Sequence, residues 1–278
     1  MRFFKLSGAG NDFVAFDNRE GRLPTGDRRS EWIARLCARG EGVGADGALI
    51  LEPSAVADIR MRYHNADGGE TDMCGNGIRC VARLTHHLGV AGPTIRIESA
   101  IGTHTAEVLG GDRIRVTHTP PEVQERECAM ELNGISHRAD RVLAGVPHVV
   151  IEVESDDPSA LGEIDVGSLG PPLRRHAAVM PKGANINWLW RDTDGTLHMR
   201  TYERGVEAET LACGTGALSC AVSAALRHGQ TSPVTVITRS GHRLSIHFAR
   251  DGETFHDVLL EGPATITFTG ELGESLLP

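Results

Sequence analysis

A short segment of this chain occurs twice, and the two copies lie half a chain length apart. Laying residues 63–77 (YHNADGGETDMCGNG) over residues 202–216 (YERGVEAETLACGTG) without a gap gives six identities in 15 positions. The shared residues include the cysteine and both glycines of a Cys-Gly-x-Gly motif, at Cys74 and Cys213. These positions are 139 residues apart in a chain of 278. Such self-similarity predicts two related domains.

The sequence around each copy follows the same local pattern. Upstream, ADIRMRYHNA and TLHMRTYER alternate polar and apolar residues, which is typical of a half-buried strand. Downstream, residues 75–88 and 214–228 lack proline, are rich in Ala, Leu, Arg and Val, and stop before a glycine. We therefore predict a strand, a polar loop, a cysteine at a helix start and a helix, in that order, twice.

The remaining sequence consists mainly of short strand patterns. One more helix is predicted over residues 30–39, with Ser30 as its N-cap and Gly40 just past its end. Because strands follow one another with few helices, βαβ repetition and a parallel sheet are disfavoured. The expected fold class is α+β, with two β-rich units that each surround a central helix. Pro120 and Pro121 mark the expected boundary between them.

Composition and charge exclude several function classes. The formal net charge is −9, and the 28 Lys and Arg residues are scattered, whereas a nucleic-acid binder normally has a basic stripe. No apolar run approaches the roughly 18 residues that a membrane span needs. No signal peptide is recognisable, so we expect a cytoplasmic protein with neither nucleic-acid nor membrane partners. Its six cysteines are then expected as reduced thiols.

Four of the cysteines fit the role of small buried apolar residues, which is the usual one for a free thiol. They are Cys37, Cys80, Cys128 and Cys220. Structural zinc is disfavoured because neither Cys74 with Cys80 nor Cys213 with Cys220 has a helical spacing that would bring both sulfurs within about 2.3 Å of one ion. The chain also lacks the C-x-x-C spacing of thioredoxin-type redox sites.

Cys74 and Cys213 stand apart because each precedes Gly-x-Gly at a predicted helix start. Unpaired backbone N–H groups and the positive end of the helix dipole lower the pKa of a thiol there from about 8.5. The same N–H groups can hold a carboxylate, and glycines let it approach the backbone closely. Two such thiols on opposite faces of an α-carbon would invert it, one as base and the other as acid. The sequence therefore predicts racemisation or epimerisation that needs no cofactor and no metal.

These residues belong to a longer ordered set of motifs. They include KLSGAGNDFV at the start, GVGADG at 42–47, HNADGGETDMCGNGIR, GVPH at 145–148, ANINW at 184–188 and YERGVEAETLACGTGA. In this set the chain resembles the diaminopimelate epimerases, two-cysteine enzymes of lysine and peptidoglycan precursor synthesis. The resemblance implies conversion of LL-2,6-diaminopimelate to the meso form.

The resemblance also implies an architecture. The family has two pseudo-symmetric β-barrel-like domains, each around a central helix, with the active site in the cleft between them and a C-terminal strand that returns to the first domain. Carried over, this gives an N-terminal half at 1–119 plus 264–278 and a C-terminal half at 120–263. Members of the family usually form homodimers, which is the expectation for this chain.

By motif match, the resemblance assigns a role to each of a dozen residues. Cys74 and Cys213 would form the acid/base pair, assisted by His148 and Glu203 at the reacting amino group. Four residues would hold the reacting carboxylate: Gly75, Asn76, Gly214 and Thr215. Four more would recognise the distal end of the substrate: Asn11, Asn65, Asn185 and Arg204. Structural roles are also open, because the asparagines suit turns, Glu203 and Arg204 could form a surface ion pair, and His148 could be a core histidine.

One position departs from the family pattern. Val146 stands where most members have asparagine, and valine cannot form the hydrogen bond that asparagine would supply. A racemase of another amino acid, such as histidine, is therefore an open alternative, and so is a non-catalytic amino-acid-binding protein of this fold. Proline racemases match less well, since they typically have histidine at the position of Asn76. Phenazine-type isomerases lack the cysteine pair.

Overall fold

A computed structural model describes all 278 residues and confirms the α+β class, with many strands and few helices. The chain divides into two compact units, unit 1 with residues Met1–Val116 and Gly262–Pro278, and unit 2 with residues Thr117–Glu261. None of its helices combines the length and the apolar character needed to cross a membrane.

The strands are numbered in chain order. They are β1 Arg2–Gly8, β2 Asn11–Asp17, β3 Gly47–Glu52, β4 Ile59–Asn65, β5 Glu70–Thr71, β6 Thr94–Ser99, β7 Gly102–Val108, β8 Arg113–Thr117, β9 Glu122–Leu132, β10 Ile135–Ala144, β11 Val146–Glu152, β12 Asn185–Arg191, β13 Leu197–Glu203, β14 Ala208–Thr210, β15 Val234–Ile237, β16 Arg243–Asp251, β17 Thr254–Pro263 and β18 Thr265–Glu271. The α-helices are α1 Asp27–Cys37, α2 Gly75–His87, α3 Ala160–Glu163, α4 Val166–Arg174 and α5 Gly214–His228, and short 3-10 turns lie at Ala177–Val179 and Glu274–Leu276.

The two units repeat one strand order. Unit 1 runs β18–β1–β2–β3–β4–β6–β7–β8. Unit 2 runs β9–β10–β11–β12–β13–β15–β16–β17. The C-terminal strand β18 thus holds the place in unit 1 that β9 holds in unit 2.

Parallel pairing is more common than the run of strand patterns predicts. β2–β3 and β4–β6 are parallel in unit 1, as are β11–β12 and β13–β15 in unit 2. Each connection carries at least one helix, because a chain must cross over the sheet to return in the same direction. Most other pairings are antiparallel, so the sheet is mixed and not parallel, and the disfavoured βαβ connection occurs twice in each unit.

Both cysteine-led helices form where the repeated motif predicts them. α2 begins at Gly75 and ends at His87, and α5 spans Gly214–His228. Gly89 and Gly229 adopt positive φ angles of 68° and 65° just past the helices, as the predicted stop signals require. Each helix is buried along much of its length and forms part of the core of its own unit.

The third helix starts earlier than its predicted N-cap. α1 begins at Asp27 and ends at Cys37, so Ser30 lies inside it. Gly26 provides the N-cap with a φ of 59°, and its carbonyl oxygen accepts the N–H groups of Arg29 and Ser30. Asp27 in the first turn stabilises the positive end of the helix dipole. The helix therefore starts at an acidic residue after a glycine, and not at the predicted serine N-cap.

The strand register corrects the gap-free alignment of the two sequence copies. A Cβ built on Gly77 of α2 would meet the side chain of Leu49, and one built on Gly216 of α5 would meet that of Asn187. Leu49 pairs with Tyr63, whereas Asn187 pairs with Thr201. Tyr63 therefore corresponds to Thr201 and not to Tyr202, because the loop before Cys213 is one residue longer.

The same comparison of registers gives Val146 a counterpart in unit 1. Asn11 pairs with Gly8 at the start of β2, and Val146 pairs with Ala144 at the start of β11. Both strands lie in the same place of the repeated order, so the valine of unit 2 occupies the position of Asn11. At this equivalent position, unit 1 has an asparagine and unit 2 has a valine.

Candidate active site

The Cys74 thiol caps the first turn of α2. Cys74 has an extended backbone, with φ −141° and ψ 115°, and its Sγ accepts the N–H of Gly77 at 3.4 Å. A cysteine in this position points back over the unpaired N–H groups of the helix start. The side chain is half-buried, and a Cβ on Gly75 would meet no atom within 4 Å. Space for a ligand therefore adjoins the backbone beside the thiol.

Cys213 is placed in the same way on α5. Its backbone angles are φ −126° and ψ 111°, and its Sγ accepts the N–H of Gly216 at 3.4 Å. The hydroxyl of Thr215 lies 3.5 Å from the same sulfur. The cap geometry is thus repeated, with a hydroxyl near the second sulfur.

Glu203 gives Cys213 an acidic neighbour. Burial raises the pKa of the Cys213 thiol well above its usual value, and the negative charge of Glu203 raises it further. Burial also raises the pKa of Glu203, which accepts a hydrogen bond from the thiol. The predicted lowering of the thiol pKa is therefore wrong for Cys213, because burial and a neighbouring carboxylate outweigh the helix start. Cys213 is held in the protonated form that a general acid requires.

Asn76 and Asn11 are brought together in unit 1. The Asn76 side-chain amide donates to Oδ1 of Asn11, and the Asn11 amide donates to Asp46 at 3.1 Å. Asn76 is only 4% exposed. Asn65 is exposed at the end of β4, where its backbone closes a turn with Gly68 and Gly69.

His148 is a buried, neutral imidazole in unit 2. Burial lowers its pKa to about 3, and the positive charges of His118 and Arg204 act in the same direction. Nδ2 of Asn187 lies 2.9 Å from the carbonyl oxygen of Val149, which can only accept, and 3.1 Å from Nδ1 of His148. Nδ1 must therefore accept, so the single proton of the neutral ring lies on Nε2.

Replacing His148 with glutamine should flatten the acid side of the stability profile. The unfolded imidazole binds a proton near pH 6.5, whereas the folded one does so only near 3. The free energy of unfolding should therefore fall by about 1.4 kcal/mol per pH unit below 6.5 because of this group. Urea unfolding between pH 6.5 and 4.5 should show about 2–3 kcal/mol less loss in His148→Gln than in the native protein.

His256→Gln is the matched control, because it makes the same change at an exposed position of unit 2. Equal slopes for His148→Gln and the native protein would contradict the buried neutral state.

Asn185 and Arg204, the two residues of unit 2 that are predicted to recognise the distal end of a substrate, lie near His148. Asn185 is 4% exposed, and its Oδ1 accepts the backbone N–H of Arg204 at 2.7 Å. The Arg204 guanidinium donates to the carbonyl oxygen of Lys182, so Arg204 and Glu203 do not form the surface ion pair considered above. Asn185 and His148 occupy paired positions on β12 and β11.

The other four cysteines are buried, which confirms their interpretation as small apolar residues. Burial raises the pKa of Cys37 and Cys80 to about 12 and raises that of Cys128 and Cys220 as well. These thiols are therefore protonated at neutral pH.

Three residues that contact the predicted site residues have no predicted role from the sequence. Asn187 orients His148, and Asp46 accepts from Asn11. Arg79 donates to Oδ1 of Asn76 at 2.6 Å. Each acts on a predicted residue, and only Arg79 had a local signal, its spacing of three residues from Asn76 on a predicted helix.

Comparison with known proteins identifies relatives along nearly the whole chain. The family model described as diaminopimelate epimerase matches residues 3–123 and 141–267. The diaminopimelate epimerase of Aquifex aeolicus is 37% identical over 286 residues, covering 100% of this chain and 99% of the relative. That of Archaeoglobus fulgidus is 38% identical over 284 residues, covering 98% of this chain and 96% of the relative.

Solved structures with little sequence similarity share the fold. A phenazine biosynthesis protein of the PhzF family from Bacillus anthracis superposes with a TM-score of 0.76 at 16% identity, covering 98% of both chains. A probable proline racemase from Agrobacterium radiobacter gives 0.71 at 16% identity, covering 98% of this chain and 93% of its own. At this identity the likeness concerns the fold alone.

Proposed function

This chain belongs to the diaminopimelate epimerase family, and we propose on that premise that it is an isomerase converting LL-2,6-diaminopimelate to the meso form in lysine and peptidoglycan precursor synthesis. The observation that carries the proposal is the pair of cysteine N-caps. In each unit a thiol accepts the N–H three residues on, at the start of a buried helix. A protein that only bound amino acids would not need two such thiols.

The proposed chemistry is a proton exchange with two bases. One cysteine removes the α-proton as a thiolate, and the other returns a proton as a thiol to the opposite face of the same carbon. Cys213 suits the second role in the resting enzyme because burial and Glu203 keep it protonated. In the reverse direction the two cysteines exchange roles. The α-proton and the returned proton balance, so the reaction has no net proton change.

Backbone N–H groups stabilise the negative charge that builds up on the carboxylate. In this proposal they come from Gly75, Asn76, Gly214 and Thr215. His148 and Glu203 contact the reacting amino group in this proposal, and Glu203 also lies beside Cys213.

The distal end of the substrate is assigned to four polar residues: Asn11, Asn65, Asn185 and Arg204. Asn185 is the best supported, since it is buried beside His148 and already binds the backbone of Arg204. Arg204 supplies a cation suited to a carboxylate.

Val146 favours one alternative substrate class. It is half-buried at the start of β11, in the place that Asn11 holds in unit 1, and it removes a hydrogen-bonding group from unit 2. A substrate that presents fewer polar groups at this point would lose no hydrogen bond, and therefore no binding free energy, through the valine. The competing function is racemisation of another amino acid, for example histidine.

A panel of substrates in deuterated water tests the proposal directly. LL-diaminopimelate should incorporate deuterium at its α-carbon as the meso form appears, whereas histidine, proline, lysine and glutamate should not exchange. NMR of the α-proton signal measures both events. Exchange of histidine alone would replace the epimerase by a racemase, and exchange of no amino acid would leave a binding protein.

We also infer a cytoplasmic homodimer from membership of the family. Sedimentation velocity of the purified protein should give a single species of about twice the chain mass of 29.8 kDa. A species of one chain mass with full activity would contradict it.

A further inference from the structure

Arg79 is a buried cation without an anionic partner. Its side chain lies one turn into α2, at 0% exposure. Besides Asn76, its guanidinium reaches only the carbonyl oxygens of Gly75 and Pro263, each at 3.4 Å, and no carboxylate forms an ion pair with it. Burial lowers the pKa of Arg79 to about 10, so the side chain is still charged at neutral pH.

This placement is electrostatically unfavourable in the free protein. Burying a charge among neutral groups costs free energy that an ion pair would recover. The start of α2 is also the positive end of its dipole, where an anion and not a cation is stabilised. Two anions can supply the missing charge: the thiolate of Cys74 at the N-cap, and the substrate carboxylate that the same turn would bind.

Arg79 also begins a directed chain of hydrogen bonds. Because a guanidinium only donates, it holds the Asn76 amide with Oδ1 inward, and the Asn76 nitrogen then donates to Asn11. The chain ends at Asp46, whose carboxylate only accepts, so the Asn11 nitrogen must face it. A cation at one end and a carboxylate at the other thus fix both amides in one orientation.

Unit 2 lacks this arrangement. The helix position that corresponds to Arg79 is Leu218, which is fully buried, and Thr215 and Val146 replace the two asparagines. The charged neighbour of Cys213 is the carboxylate of Glu203. The thiol of Cys74 therefore interacts electrostatically with a buried cation, whereas the thiol of Cys213 interacts with an anion.

We propose that Arg79 is a positioning residue of the epimerase. Its guanidinium stabilises the Cys74 thiolate and the substrate carboxylate, and together with Asp46 it locks the amides of Asn76 and Asn11. The carboxylate part of this inference rests on the proposed function, whereas the thiolate part does not.

Alkylation of Cys74 tests the thiolate part without any substrate. Iodoacetamide reacts with the thiolate, so the rate at which the Cys74 peptide is labelled, followed by mass spectrometry, reports the thiolate fraction at each pH. In Arg79→Met the midpoint of this profile should rise by about one pH unit, a roughly tenfold loss of thiolate at neutral pH. Arg79→Lys, which keeps the charge, should stay near the native midpoint.

Arg83 provides the matched control, because it lies four residues further along α2 and donates to the carbonyl oxygens of Ala264 and Gly111. Arg83→Met should leave the Cys74 midpoint unchanged. A folded Arg79→Met protein with the native midpoint would overturn the proposal. If Arg79→Met does not fold, a midpoint in Arg79→Lys raised by a full unit would overturn it.

Asp46→Ala tests the other end of the hydrogen-bond chain at a half-buried position. The Asn11 amide then loses its acceptor, so KM for diaminopimelate should rise about tenfold with a smaller change in kcat, while the Cys74 midpoint stays near its native value. An unchanged KM would overturn the locking role. If the native enzyme does not exchange diaminopimelate, the proposed function is wrong. The alkylation experiment uses no substrate, so it tests the effect of Arg79 on the Cys74 thiolate independently of that function.

Discussion

Serine in place of either Cys74 or Cys213 should lower the rate of epimerisation by about three orders of magnitude. The hydroxyl is a far weaker acid than the thiol, so it neither forms the anion that removes an α-proton nor returns a proton readily, and positioned acid–base groups contribute about 10²–10⁴-fold each. Both thiols cap helices through the N–H three residues on, which a serine hydroxyl can also do, so the fold should persist. Conversion of LL- to meso-diaminopimelate, followed by chiral chromatography, measures the loss.

The other cysteines of the same helices provide the controls. Cys80 lies on α2 and Cys220 on α5, and both are fully buried. Cys80→Ala and Cys220→Ala should cost some stability through the cavities they leave, yet keep near-native turnover. Full activity in Cys74→Ser or Cys213→Ser would refute the two-base mechanism. Equal losses in all four variants would point to a general effect on folding.

The parts of the fold that follow local rules were predictable. The two cysteine-led helices contain no proline, begin at a cysteine N-cap and end before glycines with positive φ. Residues next to each helix end therefore determine where it begins and stops. The long hairpin of β9 and β10 was missed because most of β9 is exposed and its sequence, EVQERECAMEL, shows little apolar alternation. Exposed strands are specified by their partners more than by their own pattern.

Helix α4 was missed for a different reason. It spans Val166–Arg174 and contains Pro171 and Pro172, which normally end a helix. Asp165 caps it by accepting the N–H of Ser168, and Gly170 packs so closely on the ring of Tyr202 that a Cβ there would lie 2.3 Å from it. Tertiary packing therefore outweighs local propensity, and no property of the segment alone shows that packing.

At the candidate site, sequence reasoning reached the residues that carry functional groups but not those that hold them. Cys74 and Cys213 could be identified because the Gly-x-Gly that follows each of them predicts a helix start, where unpaired N–H groups lie beside the thiol. The sequence around Arg79 does not distinguish it from an arginine on the surface of a helix, and only the structure shows that its side chain is buried. Asn187 and Asp46 act through contacts between distant segments, at 39 and 35 residues from His148 and Asn11, which no local pattern encodes.

Gly216→Ala should damage unit 2 more than any other single methyl group added near a cysteine. A Cβ at Gly216 would lie 2.5 Å from Oδ1 of Asn187, 3.1 Å from Cε of Met199 and 3.3 Å from Cβ of Cys213. Asn187 cannot yield easily, because it binds the hydroxyl of Thr201, the carbonyl oxygen of Val149 and Nδ1 of His148. We expect a loss of about 2–3 kcal/mol in the free energy of unfolding.

Turnover should also fall by about 100-fold, since a shift of roughly 1 Å in a catalytic group has that effect. Gly77→Ala is the matched change in unit 1, where the added Cβ would meet Cδ2 of Leu49 at 3.0 Å. An apolar side-chain end can rotate away, and alanine favours a helix by about 1 kcal/mol over glycine, so the net cost there should be below about 1 kcal/mol. Urea unfolding of both variants, with turnover measured alongside, decides the point. Similar losses at the two glycines would show that Asn187 is not the rigid support that orients His148.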